Sequence, residues 1–314
     1  PEIVDERLNN LYDLGIRGLF PIHKFDNQFG GVHVDNTFVN FGNRISTREF
    51  FNADACDSGV RSNESLNGLP TIPITDNISI PPFLLRFFLS ALYRTPIDAN
   101  ELDYDADADL CNKRGLTPIG AYLVNRMIDK GMLIEIDHGS FDAADEMLQI
   151  AEARQYGGVL ATHNWTHFTT ANRTDIGEMT ERILRLGGFV SMITDPLMSV
   201  RMLKAHDYVS QNTNFAAGIG IGIGIGSDFS GLHPQPAPGD ERFYGTVEYP
   251  YVSEFRFSFD RQASGEKIWD YNTDGLAHYG MLADFIQDTR INHPVVYESL
   301  MNSAEAYLQT WERA

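Results

Sequence analysis

Polar side chains that could do chemistry stand directly after three apolar segments of this sequence. Asp137 and His138 follow LIEI, His163 follows VLAT, and Asp228 follows a segment in which glycine and isoleucine alternate. Neutral imidazoles are good ligands for zinc and similar metals, and a nearby carboxylate can bind a metal or move a proton. One such histidine would more often be structural, but two at equivalent positions predict a metal site.

A repeated helix and strand pattern should position these residues. We expect a helix from about Pro118 to Asp129 and a strand from about Met132 to Asp137. The pattern continues with a helix, a strand, a helix and a strand, in the segments FDAADEMLQIAEARQYGG, VLATH, IGEMTERILRLGG and FVSMI. Strands separated by helices predict a parallel sheet. In a parallel barrel the carboxyl ends of the strands converge on one face, where active sites are built.

The alternating segment Gly218–Gly226 has the period of a strand. With its isoleucines under covering helices, its glycines would face inwards and leave open volume beside Asp228. The alternative is a flexible linker, because glycine weakens strands.

The pattern in the rest of the sequence predicts a single domain with an irregular insertion. Residues 2–15 have helical periodicity, and Ile16 to His23 forms a short apolar run that would end a strand on His23. Residues 24–113 have no sustained period and predict a lid or rim, in which Pro81 to Tyr93 is a candidate helix. Two further helical patterns close the chain, around Gly275–Thr289 and Pro294–Glu312.

The composition excludes some partner classes. The 314 residues carry 43 acidic and 24 basic side chains, which give a formal charge of −19. Such a field repels nucleic acid backbones and anionic membranes. The sequence contains no apolar run of about 18 residues that would predict a transmembrane helix.

The only two cysteines, Cys56 and Cys111, bracket an irregular stretch. A disulfide and two free thiols both remain open, because disulfides need an oxidising compartment. The acidic balance and sparse lysine favour a secreted or periplasmic protein, with a cytoplasmic location as the alternative.

The segment GLTPIGAYLVNRMIDKGMLIEIDHGSFDAADEML, followed by ATHNW, resembles the membrane (renal) dipeptidase family of the amidohydrolase superfamily. The resemblance implies a (β/α)₈ barrel, and it implies that His138 and His163 are ligands of a binuclear zinc centre. It extends over most of the chain outside the insertion.

The same resemblance implies substrate-binding and catalytic roles for residues in three further segments. LYDLGIRGLFPIH is similar to the segment whose last histidine contacts the substrate or its developing oxyanion, which implies that role for His23. Arg173 stands where the family has an arginine that holds the substrate carboxylate. GIGSDFSG resembles the motif whose aspartate transfers a proton, which implies that role for Asp228.

Two family elements have no counterpart in this chain. The family has a His-x-Asp pair on its first strand and a glutamate that bridges the metals, and neither can be placed here. About five strands are predicted, equivalent to the last five of a (β/α)₈ barrel. We therefore expect a companion polypeptide or an N-terminal segment to complete the barrel, the other account being a reorganised barrel with a reduced metal site.

The predicted function is metal-dependent hydrolysis of an amide bond in a small, dipeptide-like substrate by a metal-activated water. A lactone or an N-acyl amino acid is an alternative substrate, because rim loops decide which molecules enter a barrel. The alternative is a non-enzymatic function, in which a catalytically impaired barrel serves as a binding or assembly subunit.

Overall fold

The structure is a computed structural model that describes most of the chain. The described residues are 1–34, 37–56, 72–75, 78–80, 104, 108–163, 176–195, 197–211, 222–229, 235–238, 240 and 244–314. The helices are α1 Glu2–Asp13, α2 Thr37–Thr47, α3 Pro118–Asp129, α4 Phe141–Ala153, α5 Glu178–Leu186, α6 Met198–Gln211, α7 Tyr271–Asp274, α8 Leu282–Asn292, α9 Pro294–Met301 and α10 Ser303–Glu312, with a 3₁₀ turn at Tyr279–Met281.

The strands are short. They are β1 Gly18–Leu19, β2 Ala53–Ala55, β3 Ile72–Thr75, β4 Ile78–Ile80, β5 Leu110–Asn112, β6 Leu133–Glu135, β7 Val159–Ala161, β8 Phe189–Ile193, β9 Gly224–Gly226, β10 Tyr251–Val252, β11 Ser258–Phe259, β12 Ala263–Ser264 and β13 Lys267–Ile268. The protein is mixed α/β: strand β1 pairs parallel with β6, and strands β7, β8 and β9 pair parallel in that order. The other described strands pair as β2-β5, β3-β4, β10-β11 and β12-β13.

The chain divides into two compact units. The first contains Pro1–Val159 and Ala314, and the second contains the described residues from Leu160 to Arg313. The expected single barrel domain stays a prediction.

In the first unit, helix α3 begins and packs as its sequence predicts. The Thr117 hydroxyl accepts a hydrogen bond from the Gly120 N–H at 3.1 Å, and Pro118 occupies the first turn. Its apolar face is buried, and the helix contacts both α4 and β6.

Strands β6 and β1 form a buried parallel pair in the same unit. All three residues of β6 are buried, and Leu133 and Ile134 pair with Gly18 and Leu19 of β1. Because His23 comes shortly after β1 and His138 shortly after β6, this pairing brings both histidines to the same end of the two strands.

The insertion contains an ordered part that the sequence pattern did not predict. Helix α2 lies within it, with Phe41 and the side chains of Asn40 and Asn43 buried. Strands β2 and β5 pair antiparallel, and Cys56 and Cys111 form a disulfide beside them. The disulfide alternative for the cysteines is therefore the one that the structure contains. The candidate helix at 81–93 lies outside the described residues.

In the second unit, β8 lies between β7 and β9. Its residues are all buried, Leu160 and Ala161 of β7 pair with it on one side, and β9 pairs with it on the other. Helices α5, α6 and α10 contact β8. The predicted helix at Pro294–Glu312 is two helices, α9 and α10, which meet at Asn302. None of the described helices is long and apolar enough to cross a membrane.

Candidate functional site

His138 lies at the turn that joins β6 to α4. Its φ of +69° is in the left-handed region, and its side chain is buried, with 7% exposed. Its carbonyl accepts a hydrogen bond of 2.7 Å from the His33 N–H, and the next residue, Gly139, forms an antiparallel bridge with Val32. Ser140 then caps α4 by accepting from the Ala143 N–H. The position of His138 is thus held by its own carbonyl and by contacts of the two residues after it.

His23 lies beside His138. The two imidazole ring centroids are 4.5 Å apart, with the rings at 74° to one another. Phe20 contacts both rings, with centroid separations of 5.6 Å to His23 and 5.9 Å to His138. His23 is exposed whereas His138 is buried, so the pair presents one accessible imidazole and one enclosed imidazole. The structure therefore brings together two residues that the sequence placed after different strands.

Two buried carboxylates precede His138. Asp137 is 1% exposed and Glu135 is 3% exposed, and the Asp137 N–H lies 3.3 Å from Glu135 Oε1. Sequence reasoning selected Asp137 but not Glu135. The signal was an acidic residue within the apolar run LIEI, since buried glutamate is rare unless it has partners.

A buried polar network holds the segment that contacts His138. Asp26 Oδ1 accepts hydrogen bonds of 2.8 Å from the Val32 N–H and from Asn112 Nδ2. Burial raises the pKa of the Asp26 carboxyl, while these hydrogen bonds act in the opposite direction. Because Val32 bridges to Gly139, the network holds the backbone that comes after His138.

In the second unit, His163 follows β7 and is packed against β9. A Cβ placed on Gly226 would meet the Thr162 carbonyl oxygen and lie 2.8 Å from the His163 Cβ. A Cβ on Gly224 would meet Ser191 Oγ and lie 2.8 Å from Phe189 Cζ. The expectation that these glycines leave open volume is wrong at these two positions. Neighbouring strands fill the space, and glycine is needed for their close approach.

Asp228 follows β9 at a constrained turn. Its φ is +44°, and its side chain is half-buried. The preceding carbonyl, of Ser227, accepts a hydrogen bond of 2.6 Å from Gln235 Nε2, and Thr194 Oγ1 donates to Gln235 Oε1, also at 2.6 Å. Thr194 and Gln235 are thus positioning residues that the sequence did not reveal, because only the folded chain brings them to this turn.

An ion pair between a buried arginine and a partly buried aspartate follows β8. Arg201 is 1% exposed, and its Nη2 lies 2.7 Å from Asp195 Oδ1, which also accepts the Leu197 N–H. Removing one member would leave a buried charge uncompensated. Sequence reasoning missed this pair, and its geometry indicates that it orders the start of α6.

The structure does not complete the predicted metal site. Within the part of the chain that the structure describes, no group of three or more histidine, cysteine, aspartate or glutamate side chains could hold a metal ion. The predicted ligands His138 and His163 belong to different units. The predicted substrate-binding residue Arg173 lies outside the described residues.

No protein-family model matches this chain, and a search of curated proteins found no significant match.

Proposed function

We propose that this chain is a dipeptidase-like, metal-dependent hydrolase that cleaves an amide bond of a small substrate. One observation carries the proposal: the His23 and His138 imidazoles lie 4.5 Å apart, beyond the carboxyl ends of the paired parallel strands β1 and β6. In α/β proteins with parallel sheets, ligands bind outside the carboxyl ends of the strands. The finer architecture that we propose is a (β/α)₈ barrel, of which this chain supplies about the last five strands.

The proposed metal ligands are His138 and His163. A bound zinc ion would supply an activated water and would polarise the scissile carbonyl. The described residues alone do not make up a complete donor set. The proposal therefore includes a second zinc ion and further ligands from a companion polypeptide or N-terminal segment that carries a His-x-Asp pair.

The other roles belong to residues of this chain. His23 is exposed, so its imidazole can reach a bound substrate and donate a hydrogen bond to the developing oxyanion. Asp228, at the end of β9, would take the proton and deliver it to the leaving amine. Arg173 would bind the substrate carboxylate with two parallel hydrogen bonds.

The compartment is part of the proposal. The Cys56–Cys111 disulfide supports a secreted or periplasmic protein, because disulfides persist in oxidising compartments.

The first test is hydrolysis of a panel of dipeptides, N-acyl amino acids and lactones by the zinc-loaded protein. We expect hydrolysis of an amide substrate, and we expect Asp228→Asn to lower kcat by about 10²–10⁴-fold, the usual contribution of acid–base catalysis. His138→Ala should lower both bound zinc and activity. His206→Gln is the matched control, because His206 lies on α6 beside Asp207 and has no proposed role.

Unchanged activity in both His138→Ala and Asp228→Asn would overturn the site. A protein that folds without metal and hydrolyses nothing would favour the binding or assembly subunit instead. Activity towards lactones alone would retain the hydrolase and change its substrate class.

The companion polypeptide has its own test. Mass spectrometry of the intact purified material should show a second species with a His-x-Asp sequence. A single species that binds zinc and is active would remove the companion from the proposal.

A further inference from the structure

The insertion contains a cavity lined by several arginines. The cavity has a volume of about 660 Å³, and its wall includes Arg44, Arg48 and Arg114. We call it the arginine cavity. The chain as a whole has only 24 basic residues and a formal charge of −19, so three guanidinium groups around one cavity are a local reversal of charge.

The three arginines come from two distant parts of the chain. Arg44 lies in the last turn of α2, and Arg48 follows its end, where the Arg48 N–H donates to the Arg44 carbonyl at 2.9 Å. Cations at a helix C-terminus are favourable by themselves because they interact with the helix dipole. Arg114 does not lie at a helix C-terminus, so the helix dipole does not account for its position. It follows β5 and is held by a 2.8 Å hydrogen bond from Nη2 to the Asn27 carbonyl.

Among the residues that the structure describes, two acidic side chains, Asp26 and Glu49, line the cavity beside the three arginines. Asp26 is 7% exposed, and its Oδ1 already accepts from Val32 and Asn112. Burial has the larger effect on the pKa of the Asp26 carboxyl and raises it, while attraction to the nearby Arg114 acts to lower it. Glu49 also lines the cavity, and like Arg48 it is exposed, so that water screens both of these charges. The described lining thus has three basic and two acidic side chains, a formal excess of one positive charge.

The rest of the described wall combines two phenylalanine side chains with the polar Asn52. Phe50 and Phe51 line the cavity and are 9% and 3% exposed. Phe50 is fixed from two sides, by edge contact with the Phe41 ring at 5.2 Å and by the Arg44 guanidinium at 5.7 Å. A cavity that combines fixed aromatic rings with guanidinium donors suits a ligand with an apolar part and one anionic group.

We propose that the arginine cavity binds a small organic anion, whose carboxylate or phosphate group is held by Arg48 and Arg114 and whose apolar part contacts Phe50 and Phe51. The proposed hydrolase activity is not a premise for this site. The expected ligand is a small apolar molecule with one oxyanion group. The experiment distinguishes a carboxylate from a phosphate.

The experiment is isothermal titration of the intact, EDTA-treated protein at low ionic strength, which makes the result independent of zinc and hydrolysis. The probes are phenylacetate, phenyl phosphate and inorganic phosphate, with neutral phenylacetamide as the matched uncharged compound. We expect the aromatic anions to bind and the amide not to bind. The tighter of phenylacetate and phenyl phosphate identifies the preferred oxyanion.

Variants locate the binding. Arg48→Gln and Arg114→Gln should each raise the Kd of the aromatic anion by about tenfold, the usual effect of losing one charged hydrogen bond. Arg48→Lys should raise the Kd less, because lysine keeps the positive charge but cannot form two parallel hydrogen bonds. Glu49→Gln should strengthen binding, because it removes a negative charge from the lining. Arg7→Gln, at an exposed arginine of α1, is the control and should change nothing.

Several results would overturn the proposal. They are equal binding of the amide and the anions, the absence of binding by every probe, and an effect of Arg7→Gln as large as that of Arg48→Gln. If inorganic phosphate bound as tightly as the aromatic anions, the apolar part of the proposal would be wrong.

Discussion

Three of the five non-glycine residues with left-handed backbone in the described chain are residues proposed to act. Among the described residues, the non-glycine positions with positive φ are Arg48, His138, Gln155, Asp228 and Arg256. This conformation costs roughly 1–2 kcal/mol for a residue with a side chain. His138 and Asp228 belong to the proposed hydrolase, and Arg48 belongs to the arginine cavity. Strained positions are often retained where a side chain has a function, which supports both proposals.

The strain at His138 can be measured by replacement. His138→Gly should be more stable than His138→Ala by about 0.5–1 kcal/mol, because glycine adopts positive φ without the steric cost. Urea unfolding of the two variants gives this difference directly, and both lack the imidazole.

The same pair of replacements at His163 provides the control. His163 is not among the residues with positive φ, so His163→Gly should be less stable than His163→Ala by about 0.5–1 kcal/mol. The same order of stability at both positions would contradict the strain at His138.

At the scale of elements, strong periodicity predicted the structure well. The helix expected at Pro118–Asp129 has these bounds, and the strand expected at FVSMI is Phe189–Ile193. The predicted helix at residues 2–15 is Glu2–Asp13. In each of these segments the apolar positions and the end signals lie within one contiguous stretch, so local sequence suffices.

Helices with mixed signals were missed. Helix α2 has the sequence TFVNFGNRIST, whose glycine, asparagines and β-branched residues give it weak helix propensity. Tertiary contacts hold it instead. The Asn43 side chain accepts from the Asp26 N–H, Asn40 accepts from the Phe51 N–H, and Gly42 lies against the Phe25 ring.

The close approach of β9 to its neighbour can be tested with a methyl group. Gly224→Ala should lower the free energy of unfolding by about 1–3 kcal/mol, because the added Cβ would meet Ser191 and Phe189. Thermal or urea unfolding measures the loss. The matched control is Gly18→Ala in β1, where the nearest atom, the Leu133 Cβ, is at an ordinary 3.6 Å. A harmless Gly224→Ala would restore the open volume that the sequence suggested.

At the scale of the whole molecule, the disulfide constrains the insertion. Cys56 and Cys111 are separated by 55 positions, and their Cα atoms are 4.9 Å apart beside the β2-β5 pair. Replacing both by serine should lower the free energy of unfolding by about 2–4 kcal/mol, because the unfolded chain loses a cross-link. Urea unfolding with and without reductant checks this.

The single variants discriminate the cross-link from local packing. Cys56→Ser alone should cost nearly as much as the double replacement, and reductant should not destabilise the double variant further. Additive losses from Cys56→Ser and Cys111→Ser would mean that the cysteines act separately.

The sequence alone determined the α/β class, the ends of its most periodic elements and the strand-end positions of His138, His163 and Asp228. These properties depend on residues that are neighbours in the chain, where a period of 2 or 3.6 is visible. Only the tertiary structure decided that His23 lies against His138, that Cys56 bonds to Cys111 and that Arg114 joins the α2 arginines at one cavity. Such contacts depend on the path of the chain between distant segments, and the local sequence does not specify that path.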